Sequence, residues 1–210
     1  MSIDTNNQDT CSRLLAAAIE VFTEVGYREA TLRAICQRAG TNNAAVNYHF
    51  RDKEHLYLAV IEHAIQTMRE HTELAPDESS LAAEVRLQHE IQRILAHLLG
   101  DGPPTWLMKL MAHELAEPTA GLDLLIEKVV APFDAEIGAI VRELAGPAVT
   151  AEQVYDCVSS IVSQCHHYYQ GRAVVFRQGR YTAYDSATID HLADHITRFS
   201  LAGIRSMTDS

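Results

Sequence analysis

The 210-residue sequence predicts an all-α fold, and three observations carry that prediction. Apolar residues recur at i, i+3 and i+4 through every long segment. No segment shows the period-two alternation of a half-buried strand. Turn residues punctuate the chain at Gly26, Gly40, Gly100–Pro104, Gly146-Pro147 and Gly171, where they end helices. Hydrophobic residues make up 47%, enough apolar material for one large or two small domains. About nine helices are expected, with a small domain over residues 1–50 and a larger helical domain over 51–210.

Residues 1–8 are polar and expected to be disordered. A first helix is expected from Asp9 to Val25, with Leu15, Ala18, Ile19, Phe22 and Val25 as its apolar stripe and Gly26 as its stop. Thr31 can cap a short helix in which Leu32, Ile35 and Ala39 share a face. Gly40 can take the left-handed conformation that turns the chain. Thr41 or Asn42 can cap a second short helix, Asn43 to about Tyr48. Asp52 can cap a fourth helix running towards Thr72. A polar break at 76–80 precedes a helix over 81–99, and Gly100–Pro104 breaks the chain again. Trp106–Ala116 is compact and helical. Thr119–Leu144 is amphipathic, with Pro132 kinking or splitting it. Thr150 and Gln153 have capping-box form and open a helix to about Tyr169. Residues 171–184 are the least regular, and Ser186 or Thr188 opens the last helix.

The segment 31–50 therefore reads as two short helices joined by a tight turn, a helix-turn-helix whose second helix enters the DNA major groove. That second helix is small and polar, and Asn amides can hydrogen-bond base edges or phosphates. The net charge of −11 excludes a general nucleic-acid binder, but charge is unevenly spread. Within 31–53, Arg33, Arg38, Arg51 and Lys53 face one acid, Asp52, leaving that window at +3 and the remainder at −14. A basic face on an acidic body suits a reader whose bulk stands away from the phosphates.

Other chemistry is poorly supported. Cys11, Cys36, Cys157 and Cys165 form no CxxC pair and no zinc spacing, so they read as reduced thiols. His191 and His195 have a spacing that can hold a metal, but no acid completes a motif, and neither a metal site nor a cofactor is assigned. There is no GxSxG, no glycine-rich phosphate loop and no Cys–His pair, so no enzyme is expected. No apolar run approaches the ~20 residues of a membrane span, and the N-terminus lacks a secretory pattern, so the protein is expected in the cytoplasm. Trp106, Met108, Met111, His113, Phe133, Cys165, Tyr168 and Tyr169 combine large apolar surfaces with polar tips, the composition of a small-molecule pocket.

One pattern ties these features together: Thr31, Ile35, Ala39-Gly40, His49-Phe50 and Lys53-Glu54-His55-Leu56. In it the N-terminal sixty residues resemble the TetR/AcrR family of bacterial transcriptional regulators. Three positions depart from the family pattern: Asn42 for Ser, Ala44 for Gly, and Asn47 for the Tyr three before the Phe. His113–Thr119, Leu125–Phe133 and Gln164–Val175 are similar to the CecR-type branch. The resemblance implies a homodimer that binds double-stranded operator DNA and answers to a small-molecule effector, most often as a repressor. It implies phosphate contacts from Thr31, Thr41, Tyr48, His49 and Lys53. Arg33, Asn42, Asn43, Ala45 and Asn47 are implied nearer the base edges, with Leu32, Ile35, Val46 and Phe50 packing beneath. It implies dimerisation through about 150–169 and 186–207. The alternative is an all-α ligand-binding or interaction protein without sequence-specific DNA binding.

Overall fold

A computed structural model describes residues 3–71, 78–100 and 105–207. Residues 76 and 77 of the polar break, and 101–104 of the Gly/Pro stretch, lie outside the described residues. Those described form eleven α-helical segments and one π-helical segment: α1 Ile3–Glu29, α2 Leu32–Ala39, α3 Asn43–Phe50, α4 Lys53–His71, α5 Ala83–Leu99, α6 Thr105–Ala116, α7 Ala120–Leu125, the π segment Ile126–Val130, α8 Ala131–Ala145, α9 Ala151–Gln170, α10 Arg172–Arg177 and α11 Ser186–Ser206. The all-α class is as the periodicity predicts.

The chain divides into two compact units, Met1–Glu73 with Pro103–Val130, and Leu74–Gly102 with Ala131–Ser210. In the first, α1–α4, α6 and α7 share one apolar core. Leu14, Phe22, Ile35, Val46, Leu56, Tyr57, Ile61, Leu110 and Leu125 are buried in it. In the second, Leu87, Ile91 and Leu95 of α5 are buried, as are Ile137 and Val141 of α8, Ile161 and Cys165 of α9, and Leu192 and Ile196 of α11.

Several boundaries differ from the expectation. The first helix begins at Ile3, not near Asp9. No Gly or Pro precedes Gly26, so nothing stops an established helix from extending N-terminally. Its helical geometry does break at Gly26 (φ 73°, ψ 177°), a conformation open to glycine alone. The stretch after Thr119 divides next to Pro132, into α7, the π segment and α8, which begins at Ala131. Pro132 offers no N–H to the carbonyl four residues earlier, and that carbonyl, of Lys128, accepts from Arg69 Nη2 at 3.2 Å. The irregular region holds a helix, α10, and α11 is capped by Asp185, whose Oδ1 accepts from Thr188 N at 2.8 Å. Thr150 and Gln153 form the reciprocal capping box that their spacing predicts.

Candidate nucleic-acid interface

The helix-turn-helix is set by local hydrogen bonds. Thr31 Oγ1 accepts from Ala34 N at 3.2 Å and starts α2. Gly40 ends it in the left-handed region (φ 62°, ψ 40°). The Thr41 N–H donates to Cys36 O at 2.9 Å and the Gly40 N–H to Gln37 O at 3.3 Å, the paired bonds of a Schellman turn. Asn42 Oδ1 then accepts from Ala45 N at 3.2 Å and starts α3. Ile35, Cys36 and Ala39 are buried under α2, whereas α3 fully buries Val46 alone. The Cys36 thiol donates to Asn43 Oδ1 at 3.3 Å, tying α2 to the first residue of α3.

Most of the expected contact residues lie on the outside of this unit. Thr31, Arg33, Asn42, Asn43, Asn47 and Tyr48 are exposed, and Thr41, Ala45, His49 and Lys53 are half-buried. The Tyr48 ring is 75% exposed, unusual for a large aromatic side chain, and meets His49 edge-on at 5.0 Å. Lys53 folds back: Nζ is 4.5 Å above the Tyr27 ring and 3.4 Å from the Arg28 carbonyl. Partial burial draws its ammonium below the usual lysine range, partly offset by Glu29. The basic window needs one correction. Arg38 is held by Glu24 at 3.1 Å and Glu20 at 3.4 Å, both on α1, so its charge is neutralised within the unit. Counting charge in a sequence window missed partners fourteen and eighteen positions upstream.

Two features here had no sequence signal. Arg51, between α3 and α4, adopts φ 75°, ψ −54°, a strained conformation for a residue with a side chain. The other is a buried polar cluster that joins α4, α6 and the cap of α7. Glu114 on α6 is 1% exposed. Its Oε1 accepts from Tyr57 Oη of α4 at 2.6 Å and from Thr119 Oγ1 at 2.7 Å, and its Oε2 accepts from Thr119 N at 2.8 Å. Burial, and then the Glu114 carboxylate, push the Tyr57 phenol above its usual range. Thr119 also caps α7, accepting from Gly121 N at 3.1 Å. A Cβ on Gly121 would lie 2.5 Å from Ile61 Cδ1, so α7 approaches α4 as closely as glycine permits. On the other side of α6, His113 pairs with the Thr23 carbonyl through Nε2 at 3.3 Å. Its ring lies against Gly26, where a Cβ would be 2.9 Å from Nδ1.

The eight pocket candidates fall into two sets. Trp106, Met108, Met111 and His113 belong to the first unit, where Trp106 stacks on His63 at 6.0 Å and Met111 is core. Phe133, Cys165, Tyr168 and Tyr169 belong to the second. Cys165 is buried, and burial pushes its thiol up to about 12; burial and Asp156 also raise the Cys157 thiol. A thiol raised in this way keeps its proton at neutral pH. Among the described residues, the first unit has a groove of about 390 Å³ between α4 and α7, and a cleft of about 270 Å³ that includes His113. Among the described residues, no group of three His, Cys, Asp or Glu side chains could hold a metal, and no helix is long and apolar enough to cross a membrane.

Comparison with known proteins matches both parts of the chain. Residues 14–60 match the family described as bacterial regulatory proteins, tetR family. Residues 83–204 match the C-terminal domain of the HTH-type transcriptional dual regulator CecR. The CecR dual regulator of Shigella flexneri is 26% identical over 194 residues, covering 88% of this chain and 86% of its own. The HTH-type transcriptional regulator UidR of Escherichia coli K12 is 36% identical over 73 residues, 33% of this chain and 37% of its own. The crystal structure of a transcriptional regulator from Rhodococcus sp. Rha1 shares the fold, with a TM-score of 0.60 and 17% identity over 92% of this chain and 96% of that one.

Proposed function

The chain belongs to the TetR family of bacterial regulatory proteins, in the branch with a CecR-type C-terminal domain, and from this we propose that it is a dimeric repressor released from its operator by a small-molecule effector. It is a DNA-binding transcriptional regulator, and the observation that carries the finer reading is the outer face of α3. Asn42, Asn43, Asn47 and Tyr48 are exposed there on a helix anchored by one buried valine. Asn43, Asn47 and Arg33 are assigned to base edges; Thr31, Thr41, Tyr48, His49 and Lys53 are assigned to phosphates, which fix register. Dimerisation is assigned to α9 and α11, which carry the exposed Tyr155 and Phe199, 66% and 65% accessible. The effector is assigned to the region 51–210, against Trp106, Met108, Met111 and His113 or against Phe133, Cys165, Tyr168 and Tyr169. It acts by favouring the state whose reading heads do not match the operator spacing.

The test is binding of the purified full-length chain to its own promoter region at moderate salt, with a scrambled duplex as control. A specific complex with affinity on the order of 10⁻⁸ M or tighter is expected. Asn47→Ala should weaken it while leaving the dimer intact by light scattering. No specific complex up to micromolar protein would sink the proposal. The Shigella flexneri relative is named a dual regulator, so transcription from the bound promoter is read in both directions.

A further inference from the structure

Three side chains around the turn have their acceptor atoms already engaged. Thr31 and Asn42 do so as helix caps, accepting from Ala34 N and Ala45 N, as residues in that position commonly do. Asn43 is different. It is the first residue inside α3, and its Oδ1 is turned back onto α2, where the Cys36 thiol donates to it at 3.3 Å. Cys36 is 4% exposed, so its thiol reaches the contact from inside the unit, while Asn43 itself is exposed. Burial also raises the thiol pKa, so the sulfur keeps the proton it donates at neutral pH. A side-chain amide has one NH₂ group and one oxygen with two lone pairs, so what the Cys36 contact fixes is the direction the oxygen faces. With the oxygen turned towards Cys36 on α2, the NH₂ group is the polar end of this exposed side chain left for a ligand outside the helix.

We infer that Cys36 is a positioning residue for base recognition: by holding the Asn43 oxygen inward it makes Asn43 a donor-only reader, selecting guanine over adenine. The inference rests on the DNA-reading role proposed for α3. An asparagine free to turn pairs with adenine in two bonds, donating to N7 and accepting from the N6 amino group. Asn43 held as it is turns its oxygen towards α2 and away from N6. Guanine presents N7 and O6, two acceptors side by side, and both suit an NH₂ donor. Cytosine offers its N4 amino donor and is rejected for the same reason as adenine N6.

The experiment selects bound duplexes from a random library with the full-length wild type and with Asn43→Ala, Cys36→Ala and Cys36→Ser, each checked by circular dichroism. Asn43→Ala should flatten one position per half-site, and the wild type should prefer guanine at that position. Cys36→Ala should lower the guanine-over-adenine preference there by about tenfold and leave the rest of the motif unchanged. Cys36→Ser keeps a donor on the same atom position and should retain guanine. Substituting 7-deazaguanine at that position removes the N7 acceptor and should weaken the wild type as Asn43→Ala does. This arm decides the matter should the Cys36 variants not fold. The inference is overturned by adenine or cytosine at the Asn43-dependent position, by uniform weakening of all duplexes with Asn43→Ala, by an unchanged preference in a folded Cys36→Ala, or by indifference to 7-deazaguanine. A wild type that selects no motif at all overturns the DNA-reading function, and this inference with it.

Discussion

Helices α3 and α4 are neighbours in sequence and in one unit, yet they are held by opposite means. The eight residues of α3 fully bury one side chain, Val46, with Ala45 and Phe50 partly buried against the same core, and its start is set by the Asn42 cap, the Schellman turn before it and the thiol contact to Asn43. By contrast α4 buries Leu56, Tyr57, Val60, Ile61, Ala64 and Ile65, and it adds a buried phenol–carboxylate bond to α6. A surface that must meet another molecule cannot spend its side chains on its own core. It is therefore placed by backbone hydrogen bonds and caps, while the adjacent helix supplies the rigid base. The contrast predicts where substitutions act on stability and where they act on DNA binding.

The largest stability effect is expected at Glu114. Glu114→Ala leaves Tyr57 Oη, Thr119 Oγ1 and Thr119 N without their shared acceptor and opens a cavity among α4, α6 and α7. A loss of about 3–5 kcal/mol is expected, read as a lowered urea midpoint. A loss under about 1 kcal/mol would mean that water replaces the carboxylate and that α4 is not braced in this way. Val46→Ala comes second, at about 1–3 kcal/mol for two buried methyl groups. Its effect should concentrate in α3: amide exchange there should accelerate while that of α4 stays close to wild type. Equal acceleration in both helices would erase the distinction between them.

The two regions were also unequally legible in the sequence. Everything that sets the reading helix is local: Thr31, Gly40 and Asn42 lie within a few residues of the atoms they bond, so capping rules located both helices and the turn. The same was true of Thr150 with Gln153. What braces α4 was not legible, because Tyr57 and Glu114 are 57 positions apart and neither carries a local signal of burial. Glu114 stood in the segment His113–Thr119 singled out by resemblance, yet nothing in that segment names its partner. Arg38 failed for the same reason, its acids lying on a different helix. Local hydrogen bonding is written in short patterns, whereas long-range polar pairing depends on packing that the sequence does not spell out.

Asn42→Ala tests the local side of the comparison and ranks third. It removes the bond from Ala45 N and should cost about 1 kcal/mol. Operator affinity should fall further than stability alone explains, because the cap also aims the start of α3. Asn42→Ser keeps an acceptor at the cap and should restore stability. A serine variant as unstable as the alanine one would show that the cap bond does not hold this helix.

The smallest effect is expected at Asp52, where the two helices join. Its Oδ1 accepts from His55 N at 2.9 Å and pairs with His55 Nδ1 at 2.8 Å, capping α4. The backbone bond first, and the ring contact next, hold this carboxyl below its ordinary value of 3.8. A lowered value means that the folded chain binds fewer protons than the unfolded one across that range. The contribution of Asp52 is therefore fully present above the unfolded value and is lost as pH falls through the folded one. Asp52→Asn retains an oxygen for the His55 N–H but has nothing to titrate. The stability difference between wild type and Asp52→Asn should shrink as pH falls below about pH 4. A difference that grows on acidification would reverse the sign and remove Asp52 as the ionised cap. In that case α4 would start on its buried side chains alone, and the junction would depend on packing rather than on the kind of local bond that positions α3.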